Sequence, residues 1–346
     1  MPRVSVLMSV YNGERYLREA VDSILNQTFT DFEFIIVDDG STDGTAQILD
    51  SYSDPRIVRI NNEKNLGLAA SLNIGIDRAQ GEYIARMDAD DVSLPHRFET
   101  QVKYMGNHPE IDFLGTNLRY MDENSILSEK RLYFESSPLS STYLKWRLLW
   151  GNPLAHPTML MRRSTLNHYS LRYDPQFSSA QDYDLWTRAA RVCNFVAISE
   201  VCLVRRKHTS SIASTRNYEQ RTMVYKSMGN QLSWFLGFPI SPRVISTLGN
   251  AFRSIYIDQT DYRMAAYVIF AAHRKFLDTA TFTSNEYRLI CNHTAKLLST
   301  LSINARNKSR YLAVYILSVS MLLLSKACFN GDFAKLMLKT LAHRKV

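Results

Sequence analysis

Three apolar runs near the start of the chain each lead into polar residues that could bind a charged ligand. The polar groups are Tyr11-Asn12, Asp38-Asp39 and Asp88-Ala89-Asp90. Alternate residues of a strand point to the same side, so Asp88 and Asp90 are expected to converge on one ligand. Mg²⁺ and Mn²⁺ prefer oxygen ligands and commonly bridge carboxylates to substrate phosphates. The spacing predicts a divalent-cation site beside a phosphate. The alternative is a solvated acidic turn that caps the next helix.

The elements that must position these residues alternate between strands and helices. Four apolar runs predict strands, at Val4–Val10, Phe34–Val37, Ile57–Ile60 and Tyr83–Met87. Helical spacing predicts helices over 17–25 and 66–79, and Ser41 or Thr42 is expected to cap a helix that carries Ile48 and Leu49. This alternation predicts an α/β fold with a mostly parallel sheet and flanking helices. Ligands bind at the carboxyl ends of the strands in such sheets, where the three polar groups lie.

The chain changes character after about residue 216. Residues 216–346 hold 18 Lys/Arg and 6 Asp/Glu, a net charge of +12, whereas residues 1–215 hold 23 Lys/Arg and 27 Asp/Glu, a net charge of −4. Helical patterns follow without clear strands, with amphipathic candidates at Gln231–Ile240, Arg263–Leu277 and Leu289–Leu301. The sequence therefore predicts one domain over the first 215 residues and a basic helical region over the rest.

The basic region contains the most apolar stretch of the chain, Tyr311–Ser325. As a helix it would be about 22 Å long, short of the ~30 Å hydrocarbon core of a bilayer. Arg306, Lys308 and Arg310 precede it, and Lys326 follows. Each basic residue near anionic lipid contributes roughly 1 kcal/mol. The stretch predicts a helix in the membrane plane or partly inserted, and a full span and a buried helix are the alternatives.

The cysteines, the N-terminal residues and the lack of nucleic-acid-binding motifs indicate where the protein is located and which partners are not expected. The four cysteines lack CxxC spacing and are expected to be buried thiols in a reducing compartment; they are Cys193, Cys202, Cys291 and Cys328. Core strand residues begin at Val4, which leaves no room for a signal peptide and predicts a cytoplasmic location. No nucleic-acid-binding motif accompanies the net charge of +8, so nucleic acid is not an expected partner.

Four ordered motifs give the N-terminal part a specific resemblance. They are Val4-Ser5-Val6-Leu7-Met8-Ser9-Val10-Tyr11-Asn12-Gly13, Ile36-Val37-Asp38-Asp39-Gly40-Ser41, Asn65-Leu66-Gly67 and Gly81-Glu82-Tyr83-Ile84-Ala85-Arg86-Met87-Asp88-Ala89-Asp90-Asp91. Their order and spacing resemble glycosyltransferase family 2 over about residues 3–215. The resemblance implies a GT-A fold, a nucleotide-binding α/β domain that transfers a sugar from a nucleotide-diphosphate sugar.

The resemblance assigns nucleotide-binding residues by position. Tyr11 and Asp39 match the pair that binds the base, the tyrosine through its aromatic face and the aspartate through the base N–H. Asp88 would lie near the ribose and the metal. Stacking together with a charge-assisted hydrogen bond can select a uracil- or thymine-like edge, so a UDP- or dTDP-sugar donor is expected.

Two positions depart from the usual motifs. Ser9 stands where the family often has Pro, and Leu72 stands where many members have Arg. The second departure removes a cation that would face the phosphates. Lys64 and Arg86 are the nearby candidates to replace it, and each is alternatively a surface charge.

The resemblance also assigns the metal site. Asp90 would be the principal ligand of Mn²⁺ or Mg²⁺, with Asp88 beside it. His208 resembles a late histidine that helps to hold the metal and the diphosphate; the alternative is a structural histidine. The cluster Arg205-Arg206-Lys207 before it would stabilise the departing diphosphate, whose negative charge grows in the transition state, or would be surface charge at the domain boundary.

A second acidic group, Gln181-Asp182-Tyr183-Asp184, resembles the helix start that carries the family's catalytic base. Gln181 replaces the usual Glu, while Asp182 keeps its place. Inverting transfer needs a carboxylate that takes the proton of the attacking acceptor hydroxyl. The structural alternative makes Asp182 an N-cap and Asp184 a partner of the helix dipole. His156-Pro157-Thr158 resembles a family segment that precedes this helix.

The expected reaction is direct displacement with inversion. The family's processive synthases carry a QxxRW motif and several membrane spans; because this chain has neither, a single-addition enzyme is expected. Its acceptor would be a saccharide, expected to be lipid-linked, at the inner face of the cytoplasmic membrane, in surface-polysaccharide synthesis. One rival is a sugar nucleotidyltransferase, which would need a Gly-rich phosphate loop, whereas residues 8–20 contain only Gly13. The other is a non-catalytic nucleotide-binding membrane adaptor.

Overall fold

The computed structural model describes residues 1–128, 133–134, 138–208, 217–251 and 260–306. Within these ranges the chain forms one eight-stranded sheet flanked by helices. The strands are β1 (Val4–Val10), β2 (Phe32–Asp38), β3 (Ile57–Asn61), β4 (Tyr83–Asp88), β5 (Val92–Ser93), β6 (Phe113–Met121), β7 (Leu160–Arg162) and β8 (Phe195–Arg206). Their order across the sheet is β3-β2-β1-β4-β7-β6-β8-β5.

The helices divide between the sheet and the C-terminal part. Those among the strands are α1 (Leu17–Leu25), α2 (Thr45–Asp50), α3 (Leu68–Arg78), α4 (Arg97–Asn107), α5 (Ser141–Leu148), α6 (Arg163–His168) and α7 (Gln181–Ala189), with a 3-10 turn at His156–Thr158. Those that follow β8 are α8 (Asn217–Leu236), α9 (Pro242–Ala251), α10 (Thr260–Thr279) and α11 (Ser284–Arg306).

The first four strands form the parallel half of the sheet. β1 lies between β2 and β4, and β3 pairs with the outer side of β2, all in parallel. In this register Val10 lies opposite Asp38, and Ser9 lies opposite Asp88. The predicted parallel sheet is therefore confirmed, and its carboxyl ends bring the three polar groups of the sequence to one edge.

The other half of the sheet is mixed, and it brings the end of β8 to the same edge. β7 is antiparallel to both β4 and β6, whereas β8 is parallel to β6. The two-residue strand β5 pairs with β8, with Val92 opposite Val204 and Ser93 opposite Leu203. Because β5 directly follows Asp91, this pairing fixes the acidic loop beside the end of β8.

The predicted boundaries hold for β1 and α1 and shift in several other elements. β2 and β4 each run one residue further than predicted, so Asp38 and Asp88 are the last residues of their strands. α3 begins at Leu68 because Gly67 has a φ of +89°, outside the helical region. Neither Ser41 nor Thr42 caps α2; Thr45 N donates instead to the carboxylate of Asp43 at 3.0 Å.

Side chains on both faces of the central strand form the core of the sheet. Every residue of β1 is buried, because helices cover both faces. On one side, α3 comes so close at Gly75 that a Cβ there would lie 2.1 Å from Leu7 Cδ1. A larger residue at this position would have to displace the Leu7 side chain, so the glycine lets α3 pack closely against β1.

The chain divides into two compact units. The first comprises residues 1–144 and 152–224, and the second comprises residues 145–151 and 225–346. Its described residues after 225 form helices, as predicted for the C-terminal region. The candidate segments Arg263–Leu277 and Leu289–Leu301 lie within α10 and α11, but α8 starts much earlier than predicted and ends at Leu236.

No helix in the described ranges has both the length and the apolar character to cross a bilayer. The segment Tyr311–Ser325 and Cys328 lie outside those ranges. The predicted burial of the cysteines is confirmed for the other three, Cys193, Cys202 and Cys291.

Two histidines, the buried His273 and the partly buried His293, lie near the Trp146 ring in the second unit. The Trp146 ring lies 5.8 Å from His273 and 6.3 Å from His293, and its Nε1 donates to His293 Nδ1 at 3.1 Å. Burial lowers the pKa of His273 to about 4 and holds the pKa of His293 well below its ordinary value. The folded unit therefore keeps both imidazoles neutral at pH values where the unfolded chain binds protons.

The second unit should lose stability as the pH falls below about 6.5. Above that pH both states are neutral at His273, so its contribution to the pH dependence is zero. Below it the unfolded state binds a proton that the folded state refuses, and this one residue costs about 2 kcal/mol at pH 5. Urea unfolding at pH 7.5 and pH 5, followed by tryptophan fluorescence, measures the change.

The variant His273→Gln cannot titrate, so its unfolding should depend less on pH. The matched control is His168→Gln, because His168 is exposed and should leave the pH dependence of the wild type intact. Equal unfolding free energies of the wild type at the two pH values would contradict the prediction.

Candidate active site

Two loops that follow β1 and β2 are fastened to one another at the carboxyl edge of the sheet. Asn12 has a φ of +53°, and its Oδ1 accepts a hydrogen bond from Thr42 N at 2.8 Å. Gly13 N donates to Thr45 Oγ1, and Gly44 N donates to Glu14 Oε2. These bonds fix the backbone on both sides of the position where β1 ends.

Tyr11 lies at the end of β1 with 49% of its surface exposed. It follows Val10, which is buried, so its backbone is anchored while its ring remains accessible. An exposed aromatic ring on a rigid strand end is suited to stack on a flat ligand, because little side-chain entropy is lost on binding. The geometry agrees with the predicted base-stacking role, which stays a prediction.

Asp39 is buried and holds the loop between β3 and α3. Its Oδ1 accepts hydrogen bonds from Leu66 N at 2.9 Å and Asn62 Nδ2 at 2.7 Å, and its Oδ2 accepts from Gly67 N at 2.9 Å. A carboxylate has about four acceptor positions, so a base N–H can still be accepted. The role of Asp39 in base binding stays a prediction, whereas its hydrogen bonds to Leu66 N and Gly67 N show a structural role that no sequence motif indicates.

Gly40 brings the loop that contains Lys64 against the end of β2. Its φ is +73°, and a Cβ at this position would lie 2.6 Å from the Lys64 carbonyl carbon. Lys64 itself is exposed, so its ammonium is free to move toward an anion. Arg86, the other candidate for the cation that Leu72 replaces, is completely buried, and its alternative as a surface charge is wrong.

Arg86 is a buried partner of the acidic group. Its Nη2 donates to Asp88 Oδ1 at 2.6 Å, which fixes the direction of the Asp88 carboxylate. Its Nε and Nη1 are buried and have no hydrogen-bond partner among the described residues. Arg86 therefore orients Asp88 from beneath and is not positioned as an exposed phosphate ligand.

Three carboxylates converge where β4 ends. Asp88, Asp90 and Asp91 each offer an oxygen, and these oxygens lie within 4.8 Å of one another. Asp88 and Asp90 are partly exposed, whereas Asp91 is 1% exposed. The predicted convergence of Asp88 and Asp90 is thus observed, and Asp91 joins them from the buried side.

The surroundings of Asp91 indicate that this cluster suits a cation. Its Oδ1 accepts a hydrogen bond from Arg206 N at 2.9 Å, but its buried Oδ2 has no partner in the described part of the chain. Burial raises the pKa of Asp91 well above its ordinary value, and the charges of Asp90 and Asp88 raise it further. A divalent cation among these oxygens would offset both costs, and an all-oxygen donor set suits Mg²⁺ or Mn²⁺.

His208 lies beside this cluster. Its Nε2 is 2.8 Å from Asp90 Oδ2, and its ring is 5.1 Å from the ring of Tyr16. The structure therefore brings together Asp88, Asp90 and His208, which are distant in sequence, around one point. Whether His208 binds the metal directly stays a prediction.

Asp182 lies in the first turn of α7 as a half-buried carboxylate. The N-cap position is Ala180, with a φ of +57°, so the alternative in which Asp182 caps the helix is wrong. Asn152 Nδ2 donates to Asp182 Oδ2 at 2.8 Å, and Tyr183 N donates to Oδ1 at 2.8 Å. Asp184 is instead paired with Arg188, at 2.8 Å.

The environment of Asp182 suits a proton acceptor. Burial raises its pKa above the ordinary value, and the charge of Asp88 acts in the same direction. The hydrogen bonds from Tyr183 and Asn152 and the charge of Arg205 act the other way. A carboxylate with a raised pKa is a stronger base, and two hydrogen bonds hold it in place.

His156 is a structural residue. It is buried, and its Nε2 forms a hydrogen bond of 2.7 Å with the Tyr173 hydroxyl. Burial holds its pKa well below the ordinary value, so the ring stays neutral. Its ring also packs edge-on against Trp186, one of the buried residues of α7. His156 therefore supports the helix that carries Asp182 from below.

Comparisons with known proteins decide the family. A model of "Glycosyl transferase family 2" matches residues 5–170. An uncharacterized glycosyltransferase of Haemophilus influenzae is 33% identical over 241 residues, which are 68% of this chain and 75% of that protein. The chain belongs to glycosyltransferase family 2. The sugar nucleotidyltransferase alternative is thereby excluded.

One further relative and one solved structure are similar to this glycosyltransferase. The O-antigen biosynthesis glycosyltransferase WbnJ of Escherichia coli is 33% identical over 213 residues, 60% of this chain and 81% of that protein. The crystal structure of S. aureus TarS 1-349 in complex with UDP-GlcNAc has a TM-score of 0.61 at 18% identity and covers 95% of this chain and 93% of that one. The latter similarity confirms the predicted GT-A fold.

Two residues that contact the candidate site carry no signal in the sequence. Asn152 orients Asp182 from 30 positions away, and no local motif marks it. Arg206 was grouped with a basic cluster, but its buried side chain binds Glu19, Ser125 and the backbone oxygen of Asp90. Only the three-dimensional contacts separate such supporting residues from those that face a ligand.

Proposed function

We propose that this glycosyltransferase moves a sugar from a UDP- or dTDP-type nucleotide-diphosphate sugar to a hydroxyl of a saccharide acceptor, with inversion, in surface-polysaccharide synthesis. One observation carries the proposal: in a chain that belongs to glycosyltransferase family 2, oxygens of Asp88, Asp90 and Asp91 lie within 4.8 Å of one another where β4 ends. The O-antigen role in the name of the Escherichia coli relative supports the polysaccharide context.

The donor would lie along the carboxyl edge of the parallel strands. Tyr11 would stack on the base, and Asp39 would accept its N–H. Lys64 is exposed on the neighbouring loop and would approach the phosphates. The complex of S. aureus TarS with UDP-GlcNAc supports a donor of this class.

The metal-type cluster would neutralise the diphosphate. Asp90 and Asp88 would hold Mn²⁺ or Mg²⁺, with Asp91 behind them and His208 at Asp90. When bound, the cation supplies Lewis-acid charge to the phosphate oxygens. The residues themselves contribute orientation, because Arg86 fixes Asp88 and Arg206 holds the backbone of Asp90 and the carboxylate of Asp91.

Transfer would be a single displacement. Asp182 takes the proton of the acceptor hydroxyl while that oxygen forms a bond to C1 of the sugar. The bond between C1 and the diphosphate oxygen breaks, and its electron pair stays on the diphosphate. Attack opposite to the leaving group inverts the configuration at C1, and no covalent intermediate with the protein is needed.

The decisive experiment incubates the protein with Mn²⁺ and a panel of UDP-, dTDP- and GDP-sugars, and measures released nucleoside diphosphate. We expect release from a UDP- or dTDP-sugar, increased by a saccharide acceptor, and reduced by a chelator. The configuration of the product at C1, read by NMR, tests inversion. No release and no metal-dependent nucleotide binding with any donor would refute the proposal.

We also propose that the basic C-terminal region brings the enzyme to the inner face of the cytoplasmic membrane, where a lipid-linked acceptor would lie. The full chain should float with vesicles that contain phosphatidylglycerol but not with phosphatidylcholine alone. Replacing Lys308, Arg310 and Lys326 with Gln should lower this binding by about 100-fold, because each basic residue contributes roughly 1 kcal/mol.

The matched control neutralises three exposed basic residues of the first unit, Arg78, Lys103 and Arg119. It removes the same total charge and should leave vesicle binding nearly unchanged. Equal losses in the two triple variants would indicate a general charge effect and would contradict a localised membrane-binding region.

A further inference from the structure

An apolar turn joins two helices of the second unit, α8 and α9. These helices pack as an antiparallel hairpin: a Cβ at Gly229 would lie 3.3 Å from Ile245 Cγ1, and a Cβ at Gly249 would lie 1.9 Å from Tyr225 Cε1. The chain reverses where α8 ends, within residues 234–240, which read Trp-Phe-Leu-Gly-Phe-Pro-Ile. We call these residues the apolar turn.

Hydrogen bonds within the hairpin fix the backbone of the apolar turn. Gly237, which follows the last residue of α8, has a φ of +85°, and its N–H donates to Ser233 O at 2.9 Å. Ile240 N donates to Ser233 Oγ at 3.1 Å. Pro239 and Pro242 have no N–H group. These bonds and the two prolines reduce the number of backbone N–H groups that require water, which lowers the cost of moving the turn into an apolar phase.

Two aromatic side chains of the apolar turn are exposed. Trp234 has 50% of its surface exposed and Phe238 has 39%, and Pro239 beside them is exposed as well. The other three tryptophans of the chain are buried; they are Trp146, Trp150 and Trp186. Neighbouring exposed apolar residues of this kind mark a surface that contacts either another protein or a membrane.

The charges around the apolar turn favour a membrane. Residues 220–257 contain four Lys or Arg and no Asp or Glu. Lys275 Nζ lies 5.6 Å from the centre of the Phe235 ring. Arg243, just after the turn, keeps 73% of its side chain exposed, although it forms a long ion pair of 3.5 Å with Asp261. Cations around exposed aromatic residues complement anionic lipid, because aromatic rings prefer the bilayer interface and the cations are attracted to the phosphates.

A second copy of the chain is a less favourable partner for the same surface. In a symmetric dimer each turn would meet its own equivalent, so Arg243 and Lys275 would approach like charges. Like charges brought together at an interface oppose association. An anionic bilayer reverses the sign of this interaction, so we consider lipid the better match.

We propose that the apolar turn inserts into the interface of an anionic bilayer, with Trp234 and Phe238 next to the acyl chains and Arg243 and Lys275 at the lipid phosphates. The proposal rests on the membrane association proposed above, and it adds a contact that is separate from the basic residues after residue 306. The hairpin presents the two aromatic rings on a fixed backbone, so little chain entropy is lost on insertion.

Intrinsic fluorescence tests the insertion directly, because the tryptophans other than Trp234 are buried. The full chain is mixed with vesicles of phosphatidylglycerol and phosphatidylcholine, with and without bromine on the acyl chains. Insertion should shift the Trp234 emission to shorter wavelengths, and the brominated chains should quench it. Trp234→Phe keeps the apolar character of the turn, so it should lose both signals and still bind the vesicles.

A second variant tests the contribution of the turn to affinity. Phe238→Ser should weaken vesicle binding by about 5- to 10-fold, since burial of a whole Phe side chain corresponds to about 10- to 100-fold and Phe238 is only partly exposed beforehand. The matched control is Tyr169→Ser, which removes an aromatic side chain of similar exposure from the first unit and should bind like the wild type. Flotation measures binding, and circular dichroism checks that both variants keep their helix content.

The outcomes separate the insertion from the other proposals. Vesicle binding without quenching of Trp234 would overturn the insertion and leave the basic region as the membrane contact. A Trp234 emission already at short wavelength without lipid, or a dimer that Phe238→Ser disrupts, would place protein on the turn and would also overturn it. No vesicle binding at all would overturn both membrane proposals, whereas the transfer reaction is judged separately by nucleotide release.

Discussion

Replacing Asp182 with Asn should lower kcat by about 10²- to 10⁴-fold, the usual contribution of a general base. The amide keeps the size of the side chain but cannot accept the proton of the acceptor hydroxyl. Affinity for nucleoside diphosphate should stay nearly unchanged, because the contacts of Asp182 are with Asn152 and Tyr183 and not with the carboxyl edge of β1 and β2. Steady-state kinetics with the best donor, together with calorimetric binding of its nucleoside diphosphate, measures both quantities.

Asp184→Asn is the matched control for this experiment. It makes the same chemical change two residues further along α7, where the carboxylate is paired with Arg188. A small loss of thermal stability with nearly full kcat is expected. If nucleotide binding collapses in Asp182→Asn, Asp182 has a structural role. If kcat is retained, the base is another residue.

Asp90→Asn should reduce the Mn²⁺-dependent part of nucleoside diphosphate binding by about 100-fold or more. Mutation of a residue that only contacts a metal ligand typically lowers metal affinity by about 10- to 100-fold, and Asp90 would be a direct ligand. The binding of uridine, which lacks phosphates, should not change. Titration with UDP in the presence of Mn²⁺ and in the presence of a chelator gives the metal-dependent part directly.

The control for Asp90→Asn is Asp31→Asn, because Asp31 is exposed and precedes β2 at the opposite end of the strands. It tests whether the loss of one negative charge alone alters binding. Metal-dependent affinity that survives in Asp90→Asn would refute the assignment. A loss that is equal with and without Mn²⁺ would instead indicate that the β4 loop has changed shape.

Much of the first unit could be predicted because its signals are local. The run Val4–Val10 is apolar apart from two small serines and becomes a strand with those bounds, since burial on both faces permits no charged interruption. The polar residues after β1, β2 and β4 could be grouped because parallel strands align their carboxyl ends. The alternation of side chains along a strand predicts that Asp88 and Asp90 converge. They do converge, although β4 ends at Asp88 and Asp90 lies in the loop after it.

The remaining features depend on contacts between distant segments. Asp91 lies next to two predicted ligands, but only its burial and its Oδ2, unpartnered among the described residues, reveal its place in the cluster. Arg205 and Arg206 are adjacent and of one residue type, and only the contacts of Arg206 with Glu19 and Ser125 reveal its supporting role. The N-cap of α7 is Ala180, which has a left-handed φ of +57°, and an alanine gives no sequence signal of a helix cap.

The segment Lys145–Gly151 belongs to the second unit although residues on both sides of it belong to the first, and this affects how the enzyme can be truncated. The family match ends at residue 170, which invites truncation after the first unit. Yet residues 145–151 belong to the second unit, where Trp146 packs 5.3 Å from Phe276 and near two histidines. Truncation would leave a large indole in water a few residues before Asn152, the residue that holds the base. The helices beyond residue 225 contain none of the proposed catalytic residues. We nevertheless expect a protein without them to lose transferase activity.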